Sequence, residues 1–107
     1  MQINSVELKL DLFNADFADK YEKCARELEA GFKKTPEDSL AKGIIWQIEQ
    51  IRTFVDKLFG NGIYDSLKVN SKDLDENMEI INLIRSEEIR LTEEFTKKYS
   101  SARLIRK

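Results

Sequence analysis

The sequence predicts a mainly α-helical single domain, a three-helix to four-helix bundle opened by one N-terminal β-strand. Three observations predict it. Apolar residues recur at three- and four-residue steps over most of the chain, the spacing of one helix face. Four Gly and one Pro in 107 residues leave few places to turn, so the elements are long. Only in the first dozen residues does the period change to two. There Val6, Leu8, Leu10 and Leu12 alternate with Glu7, Lys9 and Asp11, giving an extended backbone one oily and one charged edge.

A strand over residues 1–13 leaves backbone N–H and C=O groups that need a partner. Two partners are open: residues 63–69 of the same chain, or another subunit. The poor alternation of IYDSLKV over 63–69 favours intermolecular or mixed pairing. The next element spans 14–34. Asn14 is its N-cap and Asp16 lies in its first turn, where negative charge is favoured. Phe17, Tyr21, Cys24, Leu28 and Phe32 form its apolar stripe, and Gly31 with Lys33 and Lys34 suits its end. Cys24 in mid-stripe reads as a small buried hydrophobe rather than a reactive thiol.

The second helix spans 36–59, with Thr35 as cap, Pro36 in first position and Glu37 and Asp38 in the first turn. Leu40, Ile44, Ile48, Ile51, Val55 and Leu58 make its stripe. Ile45, Trp46, Phe54 and Phe59 widen the apolar surface, so this helix is central or else covered by a second molecule. Gly43 inside it costs up to ~1 kcal/mol and marks close approach of another backbone. Gly60-Asn61-Gly62 stops the helix, and the 63–69 stretch reads as a short helix or a strand. The last helix spans 71–100 on a stripe of Leu74, Met78, Ile81, Ile84, Leu91 and Phe95, interrupted at Glu88. Its outer face offers pairs such as Glu93 with Lys97 and Glu94 with Lys98. Residues 101–107 form a basic tail.

Composition excludes much chemistry. With no His there is no Ser-His-Asp or Cys-His arrangement and no ordinary zinc or di-iron site. No cofactor and no metal is expected, and no enzymatic activity. Carboxylates are the remaining catalytic candidates, as Glu76 with Glu79 and Glu22 with Glu29. Such pairs hold magnesium in helical nucleotide hydrolases, but charged helix faces explain them here. The glycines at 60–62 lack the spacing and the lysine of a phosphate-binding loop. No apolar run approaches the ~20 residues that span a bilayer. Neither a signal peptide nor a membrane partner is expected, and a single Cys points to a reducing, cytoplasmic setting. The net charge is −2, unevenly spread: the last eleven residues carry five positive charges and no acid, which leaves −7 for the remainder. An acidic body repels phosphate, so nucleic acid is not the expected partner. Self-association through opposite charges, or an acidic partner, fits the asymmetry as well as a dipole-capping role for the tail does.

Three segments resemble one family of small phage and prophage proteins from Gram-positive hosts. INSVELKLDLFNADFADKYEK resembles its opening, GIIWQIEQIRTFVDKLFGNG its centre and KYSSARLIRK its tail, in the same order along the chain. Ser5 stands where the family usually has Gly, the tail lacks its Pro-Asn-Arg, and residues 63–75 differ. Members lie among phage tail genes and are similar to tail assembly chaperones. The resemblance implies a non-enzymatic protein in the host-cell cytoplasm that multimerises and coats an apolar, helical tape-measure protein. The contacts expected on that reading are Val6, Leu8, Leu10 and Leu12 on the strand, Trp46, Phe54 and Phe59 on the second helix, and Arg103 and Arg106 in the tail. A small phage-encoded inhibitor of a host defence protein is the alternative. A magnesium-dependent all-α nucleotide pyrophosphohydrolase is a weaker one.

Overall fold

A computed structural model describes the backbone of residues 1–105 and the side chains of residues 1–99. The chain opens with a tiny hairpin, in which β1 (Gln2–Ile3) pairs antiparallel with β2 (Val6–Glu7), Gln2 opposite Glu7 and Ile3 opposite Val6. Asn4 and Ser5 at its tip both have positive φ, 48° and 70°, the handedness a two-residue hairpin turn needs. This corrects the expected strand pairing. Within the chain the partner of Val6 is Ile3, not residues 63–69. The expected single strand is also shorter than its pattern. Pairing stops at Glu7, although Leu8 N–H still donates to Met1 O at 2.8 Å. The alternation beyond it records facing rather than a ladder: Leu8 and Leu10 enter the core and Lys9 stays exposed.

Helix α1 (Ala15–Lys33) begins as expected, with Asn14 Oδ1 accepting from Phe17 N–H at 3.1 Å. Helix α2 runs Leu40–Phe59, so its start moves from 36 to 40. Thr35 does not cap it. The Thr35 hydroxyl donates back to Phe32 O at 2.6 Å, at the end of α1, and Ser39 Oγ accepts from Lys42 N–H at 3.3 Å instead. The linking loop passes close to the new helix: a Cβ on Gly43 would lie 3.1 Å from Pro36 O, the backbone approach that its glycine marks. Gly60 ends α2 at a φ of 126°, and Gly62 at 86° starts a single turn, α3 (Ile63–Ser66). That turn decides the ambiguous segment. Asp56 Oδ1 accepts from Tyr64 N–H at 2.9 Å, and Arg52 reaches Asp65 at 2.6 Å, so α3 folds back along α2. Helix α4 (Leu74–Ile105) is longer than the 71–100 expected. Asn70 forms a local turn, accepting from Lys72 N–H at 2.9 Å, and Asp73 accepts from Glu76 N–H at 3.3 Å at the true start.

α2 is the central element. α1 runs antiparallel to it, Phe17 meeting Phe59 at one end and Trp46 meeting Gly31 at the other. α4 runs parallel to it, from Leu74 beside Ile44 to Ile84 beside Phe54. Ile51, Val55, Leu58, Leu67, Ile80 and Ile84 are almost wholly buried between these layers, and Ile3, Leu8 and Leu10 of the N-terminal segment close the same core. One polar side chain is sealed among them. Asn77 Nδ2 donates to Asn70 O at 2.9 Å and Asp73 O at 2.8 Å, while its Oδ1 accepts from the Tyr64 hydroxyl. Every polar atom of that amide is thereby satisfied, which removes the cost of burying it. Asn4 Nδ2 donates to Leu67 O at 2.9 Å and joins the hairpin to the same corner.

Candidate protein-binding site

α1 and α4 are each held against α2 but only loosely by one another. Between them lies a groove of about 560 Å³, floored by Phe54. Its origin is legible in α1: Tyr21 and Cys24 turn toward α2 and are buried, whereas Ala25, Leu28 and Phe32 lie one face over and stay half-buried. Met78 and Ile81 answer them from α4, also half-buried. Charges rim the groove, with Glu22, Arg26 and Glu29 on α1 and Arg85 on α4.

The groove is closed at one end by the bond that joins its walls. Tyr21 Oη donates to Glu88 Oε1 at 2.7 Å, the one hydrogen bond between α1 and α4 among the described residues. This explains the acid that interrupts the α4 stripe: it receives a buried tyrosine. Burial pushes the Tyr21 hydroxyl well above the ordinary tyrosine range, and its bond to Glu88 adds to the shift. Burial also raises the Cys24 thiol, with Glu27 contributing, so the thiolate is disfavoured, in line with a packing role.

A second exposed feature lies where α4 passes the start of α1. Phe13, Phe95 and Tyr99 cluster with ring centroids 5.8 Å (Phe13 to Phe95), 4.9 Å (Phe95 to Tyr99) and 6.3 Å (Phe13 to Tyr99) apart. They remain 42%, 50% and 46% exposed respectively. Leu12 and Leu91 lie beneath them, and Lys98 Nζ stands 5.7 Å from the Phe13 ring centre.

The contact residues expected from sequence do not share one surface. Leu8 and Leu10 are core residues of their own chain, and Val6 is half-buried in the hairpin. Leu12 supports the aromatic cluster. Trp46 is half-buried, its indole N–H donating to Gly31 O at 2.7 Å, so it fastens α2 to the end of α1. Phe54 is buried and reaches the groove floor, and Phe59 packs on Phe17 at 6.4 Å. The Arg103 side chain and all of Arg106 lie outside the described residues. Sequence reasoning did not select Ala25, Leu28, Phe32, Met78 and Ile81, because a stripe does not say which of its members a neighbour covers. Phe13 and Tyr99 carried a usable signal. Phe13 breaks the alternation after Leu12, and Tyr99 continues the Leu91–Phe95 step.

The carboxylate pairs stay apart in role: Glu22 and Glu29 stand on the groove rim, and Glu76 and Glu79 are exposed on α4 away from it. Among the described residues no three His, Cys, Asp or Glu side chains gather where they could hold a metal ion. No helix among them is long and apolar enough to cross a membrane. No curated protein matches this chain, and no solved structure does. A family model does match it, over residues 4–107, and the chain therefore belongs to the family of unknown function DUF6673.

Proposed function

We propose that this protein is a non-enzymatic assembly factor of the phage tail chaperone type, which shields one apolar face of a helical partner in the host-cell cytoplasm. The observation that carries the reading is the α1–α4 groove, with five half-buried apolar side chains on its walls, an aromatic floor and charged rims. Grooves of this kind take the anchor side chains of an amphipathic helix at i, i+3, i+4 and i+7. At about 560 Å³ it has room for the projecting side chains of one helix face rather than for a whole helix, whose diameter is ~10 Å. In such a contact a few anchor side chains carry most of the binding energy.

The test is co-expression with a tape-measure protein from a phage that encodes a member of this family. Wild-type chain is expected to raise the soluble yield of the client and to co-purify with it. The double variant Leu28→Glu, Met78→Glu, placing charge on both walls, is expected to abolish both effects while circular dichroism stays helical. An unchanged client yield with wild-type chain, or full activity in the charged variant, defeats the reading. Binding to a host defence protein instead would move it to the inhibitor class.

A further inference from the structure

We infer that the aromatic corner Phe13–Phe95–Tyr99 is the docking surface for a second copy of this chain, with the C-terminal halves of the two α4 helices packed antiparallel across a twofold axis. The corner is separate from the groove walls, so the two proposals fail independently.

Three large rings from two segments meet there and remain roughly half exposed. Aromatic side chains clustered over an apolar base are what the buried centre of an interface is made of. The stripe continues along α4 as Leu91, Phe95 and Tyr99, beyond the level of Tyr21 where α1 last bonds it. Charge selects the occupant. Residues 87–94 carry Glu87, Glu88, Glu93 and Glu94 against Arg90 alone, and residues 97–107 carry five cations and no acid. Parallel pairing would set like charge on like. Antiparallel pairing sets each acidic stretch opposite the partner's basic one, twice, as a self-complementary contact requires.

The helix pattern also supplies the register. Phe95 and Tyr99 are one turn apart on one face, so an axis between them lays each Phe95 against the partner's Tyr99. Glu87 and Glu88 then lie ten and nine residues to the N-terminal side of that axis. Both acids already have partners in their own chain, Arg90 at 2.9 Å and Tyr21 at 2.7 Å, so they act as a field that sets orientation. The projecting part of α4, residues 89–105, is about 25 Å long at 1.5 Å per residue. Such a strip lies at the small end of specific interfaces, and the dimer is therefore a reversible one.

Sedimentation equilibrium of the full chain over a wide concentration range is expected to show a monomer–dimer equilibrium that weakens as salt rises. Phe95→Glu and Tyr99→Glu are each expected to raise the dissociation constant at least tenfold with the circular dichroism unchanged. Spin labels in a Cys24→Ala background read the orientation. A label on Lys97→Cys lies near the axis and should give a short distance within the dimer. A label on Glu79→Cys lies eighteen residues away on each helix and should give about 50–60 Å. A chain monomeric at all concentrations overturns the inference, as does a dimer indifferent to both substitutions. Equal short distances at the two positions would mean parallel pairing and overturn it too.

Discussion

The two halves of α4 have nearly the same amino-acid pattern and opposite surroundings. In the first half Ile80 and Ile84 are almost wholly buried and Asn77 is fully enclosed; in the second, Ile89, Phe95 and Tyr99 are about half exposed. Both halves carry apolar residues at helical spacing, and both surround them with acids and bases. What differs is the neighbour. α2 and the N-terminal hairpin segment cover the first half, and the second outruns them. An apolar stripe is therefore a demand for a partner, met within the chain at Ile80 and Ile84, met in part at Met78 and Ile81 on the groove wall, and left unmet at Phe95 and Tyr99.

The contrast can be broken by truncating one stripe residue from each half. Ile84→Ala is expected to lower folding stability by about 2–5 kcal/mol, since the cavity lies between packed layers. Phe95→Ala should cost under about 1 kcal/mol in dilute solution. Urea denaturation of both variants measures the difference, and equal losses would mean that the second half is as well covered as the first.

The enclosed polar joint sharpens the same comparison. Asn77→Ala removes the partner of the Tyr64 hydroxyl and of two backbone carbonyls, at Asn70 and Asp73. A loss of about 2–3 kcal/mol is expected, more than an exposed polar residue of α4 such as Asn82 would give. A loss below about 0.5 kcal/mol would mean that water reaches the site and the joint is open.

A pH-dependent effect appears at the boundary between the halves, where Tyr21 meets Glu88. Tyr21 holds its proton more tightly in the folded chain than in the unfolded one, because of burial and then the bond to Glu88. Stability from this source is complete below the unfolded tyrosine value, about pH 10, and falls as pH rises above it toward the folded value. The slope per buried tyrosine is at most about 1.4 kcal/mol per pH unit. Tyr64, raised chiefly by burial, loses stability in the same direction. Tyr21→Phe should lower the urea midpoint at pH 7–9, where the bond to Glu88 is lost, and flatten part of the alkaline decline. A profile identical to wild type would show that Tyr21 titrates normally.

Much of the fold is legible residue by residue. The Asn14 cap, the stop at Gly60, the central place of α2 and the close backbone approach at Gly43 all follow from side-chain types and spacing. The start of α2 does not. Thr35-Pro36 has every mark of a helix start, yet its hydroxyl closes α1 and Ser39 does the capping, a choice made by the loop's path over Gly43. Of the two ion pairs expected on the outer face of α4, Glu94 with Lys98 forms at 3.3 Å, and Glu93 with Lys97 does not among the described residues. The candidate groove is the least legible part. Its walls are ordinary stripe members, and only the divergence of α1 from α4 uncovers them.

By itself the sequence determined the three long helices, where most of them stop, and which edge of each is apolar. Those features depend on groups within a turn or so of each other, so local spacing carries them. The tertiary structure decided which apolar edges are spent inside the molecule. Leu8 and Phe13 lie on the same short segment, as Ile84 and Phe95 lie on one helix, and in each case one is buried and the other half exposed. Burial depends on which distant surface arrives to cover a side chain, and no local spacing encodes that arrival.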